Sequence, residues 1–346
     1  MRVGRSSGSG VNRATLLEAL PAAERAKLRP GPPPTAAEPM KAKLSERVFS
    51  DPGWVFERKL DGIRATVHRD EDGARLVSRT GRDLSSTYPE LIETLLKQDP
   101  EFVADGEIVA FDGEQTSFER LQGRMGISDP RLARLTGIEV FLYLFDLTYL
   151  EGFDLTALGL RGRKSLLREA IAFEGALGYA PHREEAGEEM FREACERGWE
   201  GLIAKRADSP YDRGRNGDWL KLKCGHEQEL VIGGFTPPKG SRRHLGALLV
   251  GYYEGDQLRY AGKVGTGFSQ RELERLGGKL EALRTERSPF APGGGQPRDG
   301  RWVRPELVGQ FGFGEWTRDG KLRHPRYLGL RDDKRPQEVV RERPDN

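Results

Sequence analysis

Trp54-Val55-Phe56-Glu57-Arg58-Lys59-Leu60-Asp61-Gly62-Ile63-Arg64 is the stretch on which the reading of this chain turns. An apolar run that reads as a buried strand ends in a lysine, a carboxylate and a glycine, and a basic residue follows three positions after the carboxylate. A lysine so placed is a candidate covalent nucleophile. Alone, the K-x-D-G pattern is short enough to arise by chance, and a lysine at a strand end ordinarily snorkels to solvent. The weight therefore falls on the runs that follow it.

Val103-Ala104-Asp105-Gly106-Glu107-Ile108-Val109 sets a carboxylate among apolar neighbours. Burying Glu107 there is costly unless it meets a cation, a metal or hydroxyl donors. Phe141-Leu142-Tyr143-Leu144-Phe145-Asp146-Leu147 is an apolar strand whose aromatics are either core or a platform for a flat ring. Glu200-Gly201-Leu202-Ile203-Ala204-Lys205 again begins a strand with a carboxylate. Trp219-Leu220-Lys221-Leu222-Lys223 alternates, so both lysines share one face. Two ammonium groups on one face repel unless an anion lies between them. Together these runs supply a lysine, carboxylates able to hold a divalent metal, an aromatic strand and a lysine pair. That is the inventory for binding a nucleoside triphosphate and attacking its α-phosphate.

With 346 residues the chain is long enough for two domains. Its net charge is only +2, from 56 basic and 54 acidic residues, so charge alone does not point to nucleic acid. The distribution says more. Ala204 to Lys223 carries six Lys/Arg against three Asp, Pro237 to Gly246 has Lys239, Arg242 and Arg243 with no acid, and Arg318 to Arg343 sets nine basic residues against five acidic. Such clusters suit a local anion site or groove, or else a solvated surface. No apolar run approaches the roughly 18 residues of a membrane span, and the start MRVGRSSGSGVNRA has no secretory h-region. Cys195 and Cys224 are the two cysteines; they favour a reducing compartment, and without a CxxC pair they argue against structural zinc.

Residues 1–38 are rich in Gly, Ser, Ala and Pro and read as a flexible leader or linker, with a short helix around Asn12 to Leu28 interrupted by Pro21. Residues 39–225 then mix strands (Trp54–Glu57, Ile63–His68, Phe102–Phe111, Val140–Leu147, Gly201–Lys205) with helices (Pro89–Leu96, Arg161–Phe173, Glu188–Arg197). Residues 226–346 are β-rich: strands at Leu230–Phe235, Ala247–Tyr253, Leu258–Val264 and Leu307–Glu315, with one amphipathic helix, Ser269–Arg284. Several strands with one inserted helix fit a small barrel, with the OB-fold as the natural candidate.

In this order the runs resemble the motifs of covalent nucleotidyltransferases, the superfamily of ATP-dependent DNA ligases, RNA ligases and mRNA capping enzymes. The resemblance narrows at Pro39-Met40, Val231-Ile232-Gly233-Gly234-Phe235 with Pro238-Lys239-Gly240-Ser241-Arg242, Tyr260-Ala261-Gly262-Lys263-Val264-Gly265-Thr266-Gly267-Phe268, and Arg323-His324-Pro325 with Leu328-Gly329-Leu330-Arg331-Asp332-Asp333-Lys334. These are similar to the ligase domain of bacterial ligase D, which serves non-homologous end joining, over about residues 36–340. The fold so implied is α+β: an adenylation (nucleotidyltransferase) domain of antiparallel sheets with flanking helices, followed by a C-terminal OB-fold barrel.

The same resemblance implies roles. Lys59 would form a phosphoramide with AMP, Glu57 would read the adenine amino group, and Phe145 would stack on the base. Arg64 and Arg79 match positions that hold the nucleotide or the phosphate at a nick. Glu107 would serve the ribose or a metal, and Glu200 the metal. Lys205 joins the nucleotide-binding set, Lys221 and Lys223 would hold the α-phosphate, and Arg331 and Lys334 would orient the pyrophosphate. Arg64, Lys221, Lys223, Arg331 and Lys334 are thereby expected to act with Lys59 in catalysis. Expected co-substrate and metal are ATP and Mg²⁺ or Mn²⁺; the expected partner is nicked or broken double-stranded DNA, with Ku and a separate end-processing polymerase as further candidates. A monomeric, cytoplasmic, nucleoid-associated protein follows, with no membrane partner. An RNA ligase, a capping-type guanylyltransferase and a non-catalytic nucleic-acid-binding protein of the same fold are the alternatives. Because attack needs the neutral amine, Lys221, Lys223, Arg64 and a bound metal are expected to lower the Lys59 pKa.

Overall fold

A computed structural model describes residues 13–34, 39–238 and 244–343, with the side chains of residues 13–15 excepted. Lys239, Gly240, Ser241, Arg242 and Arg243, part of one ligase-like motif and of one basic cluster, lie outside the described residues.

Two sheets build the part that carries the lysine. The first orders Arg29–Pro30, Phe153–Asp154, Phe141–Leu150, Phe102–Val109, Ile63–Asp70 and Gly73–Ser78 side by side, with Leu177–Tyr179 added in parallel to Phe141–Leu150. Period-two burial along Ile63–Asp70 turns Ile63, Ala65 and Val67 into the core, where they meet Leu142, Leu144 and Leu147. The second sheet orders His182–Glu184, Trp54–Arg58, Gly201–Arg206, Trp219–Lys223 and Lys43–Leu44. Helices Pro89–Leu95 and Leu160–Ala170 bury leucines against the first sheet. Helix Gly187–Glu196 buries Met190 and Ala194 with Phe56 and Leu202 of the second.

A third sheet is antiparallel throughout: Gln257–Val264, Leu248–Glu254, His226–Phe235, Arg301–Phe313 and Arg284–Thr285, with Arg326–Arg331 also on Arg301–Phe313. Register breaks at Ile232/Gly234, Val250/Gly251 and Gln310/Phe311 bend its strands. The sheet curls into the half-barrel of an OB-fold around Val231, Leu249, Val308 and Phe311. Helix Gln270–Ala282, capped by Ser269, closes that core with Leu273, Leu276 and Leu280.

Two expectations change. The leader is not a free linker from residue 13 to residue 30: helices Arg13–Glu18 and Ala22–Arg25 lead into Arg29–Pro30, which pairs with Phe153–Asp154. Leu16, Leu17 and Leu20 are buried in the first core, and Glu24 accepts from the Gly159 amide at 2.8 Å, so apolar burial overrides the Pro/Ala-rich composition. The cysteines are also not free thiols. Cys195 at the end of its helix and Cys224 just past Trp219–Lys223 form a disulfide, with Cα atoms 5.3 Å apart. Cysteine usage therefore gives no support to a reducing compartment.

Candidate active site

Strand pairing brings the two ends of the candidate chemistry together. Trp54–Arg58 and Gly201–Arg206 run antiparallel with Arg58 opposite Leu202, and the Lys59 amide continues the ladder to the Gly201 carbonyl at 2.9 Å. Lys59 therefore faces the residue just before the neighbouring strand, and its Nζ lies 2.5 Å from Glu200 Oε2. Two glycines flanking this contact let neighbouring backbones come close. A Cβ on Gly62 would stand 2.2 Å from the Ile108 carbonyl oxygen, and one on Gly201, whose φ is +141°, would stand 1.9 Å from that of Leu222. Both glycines of the K-x-D-G and E-G runs are thus required by backbone proximity.

All twelve residues nominated from sequence line one cavity of about 200 Å³: Glu57, Lys59, Arg64, Arg79, Glu107, Phe145, Glu200, Lys205, Lys221, Lys223, Arg331 and Lys334. The last two reach it from the OB-fold. Glu57 is buried, with Lys164 Nζ 2.5 Å from Oε1 and Lys205 Nζ 2.7 Å from Oε2. Lys205 also stands over the rings of Phe145 and Trp219, at 4.3 and 4.2 Å. Phe145 is only partly buried and lines the cavity, which favours the platform over the core reading.

The charge pattern corrects the expected chemistry of Lys59. Burial does work to lower its pKa, but the Glu200 carboxylate, with Asp61 and Glu107 behind it, outweighs burial and holds the ammonium above the ordinary lysine value. Arg64 is spoken for as well: its Nε bonds Asp105 Oδ1 at 2.9 Å and its second nitrogen bonds Oδ2, so no phosphate is needed to place it. Tyr211 donates to the same carboxylate at 2.6 Å. Arg331 is paired with Asp333 through two bonds of 2.9 Å, Arg79 reaches the Asp333 carbonyl at 3.2 Å, and Lys334 pairs with Glu229 at 2.9 Å. The Arg79 contact, with Arg82 on Asp332 at 2.9 Å, holds the OB-fold against the cavity mouth, whereas the Arg331–Asp333 and Lys334–Glu229 pairs lie within the OB-fold.

The anion demanded by the Lys221–Lys223 face is present. Glu342, from the C-terminal tail, is in ion-pair contact with Lys221 and lies 3.7 Å from Lys223. Burial lowers the Lys221 pKa to about 8, partly opposed by Glu342 and assisted by Lys223. Glu342, Glu229, Asp333 and Lys164 were not singled out as site residues from sequence. Asp333 and Glu229 lie within or beside motif runs, whereas nothing local marks Glu342 or Lys164.

Among the described residues no cluster of three His, Cys, Asp or Glu side chains forms a ready metal cage. The carboxylates present nevertheless fit Mg²⁺ or Mn²⁺, because Mg²⁺ takes one or two carboxylates and completes its shell with water and phosphate oxygens. Burial pushes Asp61 up to about 7, with Glu200 adding to it, and Glu107 up to about 8. A divalent cation arriving with a phosphate would relieve both. Glu107 and Glu200 are the residues that would hold it.

Residues 34–223 match the family described as ATP dependent DNA ligase domain, and residues 241–334 that described as ATP dependent DNA ligase C terminal region. The chain belongs to the ATP-dependent DNA ligases. It is 39% identical over 302 residues to the multifunctional non-homologous end joining protein LigD of Pseudomonas aeruginosa, covering 84% of this chain and 35% of that protein. It is 40% identical over 297 residues to LigD of Mycobacterium tuberculosis strain H37Rv, covering 84% and 37%. The chain thus spans little more than a third of these relatives' length. The solved structure described as mycobacterial DNA ligase D complexed with ATP and MES aligns with a TM-score of 0.63 at 36% identity, over 88% of this chain and 98% of that one.

Proposed function

We propose that this chain seals 5′-phosphate/3′-hydroxyl breaks in duplex DNA through a lysyl-AMP intermediate on Lys59, in double-strand break repair by non-homologous end joining. The convergence of a partly buried lysine with carboxylates, a lysine pair and a partly buried aromatic around one cavity carries the reading. ATP is a substrate here. Neutral Lys59 Nζ attacks the α-phosphorus, forming the N–P bond as the bond to pyrophosphate breaks. The 5′-phosphate of a nick then displaces the lysine from AMP, and finally the 3′-hydroxyl displaces AMP, closing the backbone.

Lys221 and Lys223 are placed to neutralise charge on the α-phosphate, while Glu57 and Phe145 take the base. A bound divalent cation would supply further charge neutralisation at the phosphates. Arg331 and Lys334 serve pyrophosphate departure from the OB-fold side, and the fold must then open to admit DNA. Nicked or broken duplex DNA is the proposed partner, with Ku and a separate polymerase in view of what the relatives are named for. We further take the protein to act as a cytoplasmic, nucleoid-associated monomer; no described helix is long and apolar enough to cross a membrane.

Intact mass after stripping with pyrophosphate and incubation with Mg²⁺ and either ATP or GTP tests the reading. One AMP added from ATP only, and lost in Lys59→Ala, is the expected result. GMP addition would turn the reading to capping chemistry, and no adduct to a binding protein.

A further inference from the structure

Lys164 lies in helix Leu160–Ala170, is buried, and belongs to none of the motif runs. Its ammonium reaches three acceptors: Glu57 Oε1 at 2.5 Å, the Ala180 carbonyl at 3.0 Å and the Phe145 carbonyl at 3.4 Å. A lysine has three N–H donors, so none is left over. All three partners line the cavity, and they come from three separate segments of chain. Lys164 thus stands behind the wall and fastens the edge of the site that carries Glu57 and the Phe145 ring.

The charge count at Glu57 is unusual for a structural pair. Two buried ammonium groups, Lys164 and Lys205, serve one carboxylate, one on each oxygen. Burying an extra unpaired cation is costly. A carboxylate has about four acceptor positions; each lysine sits on one oxygen of Glu57, which itself lines the cavity. Held in this way, Glu57 presents an acceptor and no donor. A 6-aminopurine offers an N–H to it, whereas a 6-oxopurine offers a second acceptor, which it repels.

We propose that Lys164 is the positioning residue for base selectivity: by fixing Glu57, Ala180 and Phe145 together, it makes the cavity accept a 6-aminopurine nucleotide and reject a 6-oxopurine one. The inference rests on the adenylyl-transfer reading above for the identity of the ligand. The rival is a purely structural staple between the helix and the two sheets.

The two are separated by nucleotides differing at one position. Affinities for ATP, for purine riboside triphosphate (no 6-substituent) and for inosine triphosphate are measured calorimetrically in EDTA for wild type, Lys164→Met and Lys164→Arg. Lys164→Met is expected to bind ATP about tenfold more weakly, with purine riboside triphosphate changed less than about twofold, so that the preference for the amino group collapses. Lys164→Arg, which keeps the charge, is expected to retain that preference. Equal losses for ATP and purine riboside triphosphate, or no loss for ATP, would overturn the proposal. If Lys164→Met does not fold, Lys164→Gln gives the same reading, and full ATP preference in that variant would overturn it as well. Because binding is read without a covalent step, a wild type that binds ATP yet gains no AMP overturns the transfer reading alone.

Discussion

Lys59 and Glu200 stand at the ends of adjacent antiparallel strands with their charged groups 2.5 Å apart, so the candidate nucleophile is held as an ammonium ion by a carboxylate nominated for the metal. At an ordinary lysine pKa, only about four molecules in ten thousand carry the neutral amine at pH 7. Glu200 pushes Lys59 in the unfavourable direction. The resting site is therefore unarmed, and whatever draws the Glu200 charge away from Lys59 arms it. Glu200→Gln is expected to raise the rate at which an amine-acylating reagent modifies Lys59 in EDTA by about tenfold at pH 8. Peptide mapping reads this directly. An unchanged rate would show that Glu200 does not retain the proton.

Glu342 occupies the lysine face on which the α-phosphate would sit. An incoming triphosphate must displace it, and that displacement weakens apparent affinity. Glu342→Gln is expected to tighten ATP binding in EDTA by about tenfold, equivalent to about 1.4 kcal/mol. Weaker binding in the variant would mean that the tail carboxylate supports the site instead of competing for it.

The same pair sets a pH dependence. Lys221 has a folded-state pKa of about 8 against an ordinary 10.5, because burial disfavours its charge. The unfolded chain thus binds the proton more tightly than the folded one, and the Lys221 contribution to stability rises between about pH 8 and 10.5. Phosphate binding runs the other way, since it needs the charge. ATP affinity is expected to fall as pH rises through about 8, and Lys221→Met should bind more weakly but with a flatter profile between about pH 7 and 9. Glu342→Gln should move the midpoint to lower pH, because Glu342 raises the Lys221 pKa. Calorimetry across that range checks all three.

The OB-fold is tied over the site through Arg79 to Asp333 and Arg82 to Asp332. A crosslink between engineered cysteines at Arg82 and Asp332 is expected to leave AMP addition to Lys59 intact and to abolish nick sealing. Sealing at the uncrosslinked rate would remove the requirement for opening.

How much of this was legible beforehand follows from the range of each signal. The alternation of Trp219–Lys223 and the carboxylates opening or interrupting apolar runs are local and marked Lys221, Lys223, Glu107 and Glu200, whereas Arg64, Arg79, Lys205, Arg331 and Lys334 followed only from the resemblance to the ligase motifs. Glu342 is 121 residues from Lys221, and Lys164 is 107 from Glu57; neither sits in a pattern, since only the folded chain brings them to their partners. The direction of the Lys59 pKa is hidden for a related reason. Cations could be counted from the sequence, but the 2.5 Å contact with Glu200 that outweighs them could not be measured there. The leader misled because Gly and Pro content hid the apolar spacing of Leu16, Leu17 and Leu20.

Arg163 provides a test that separates folding from chemistry in the same helix as Lys164. Its guanidinium bonds Asp146 through Nε at 2.7 Å and a terminal nitrogen at 3.0 Å, donates to the carbonyls of Leu158 and Ser209, and is fully buried, as is Asp146. Arg163→Met strands the Asp146 carboxylate without a cation, which costs about 3–5 kcal/mol when a buried pair loses one partner. Replacing both together, Arg163→Met with Asp146→Leu, removes the uncompensated charge and is expected to recover most of that loss. Urea unfolding of the two variants and wild type reads the difference. If the double variant is as unstable as the single one, the hydrogen bonds to Leu158 and Ser209, and not the ion pair, hold the helix on the sheet.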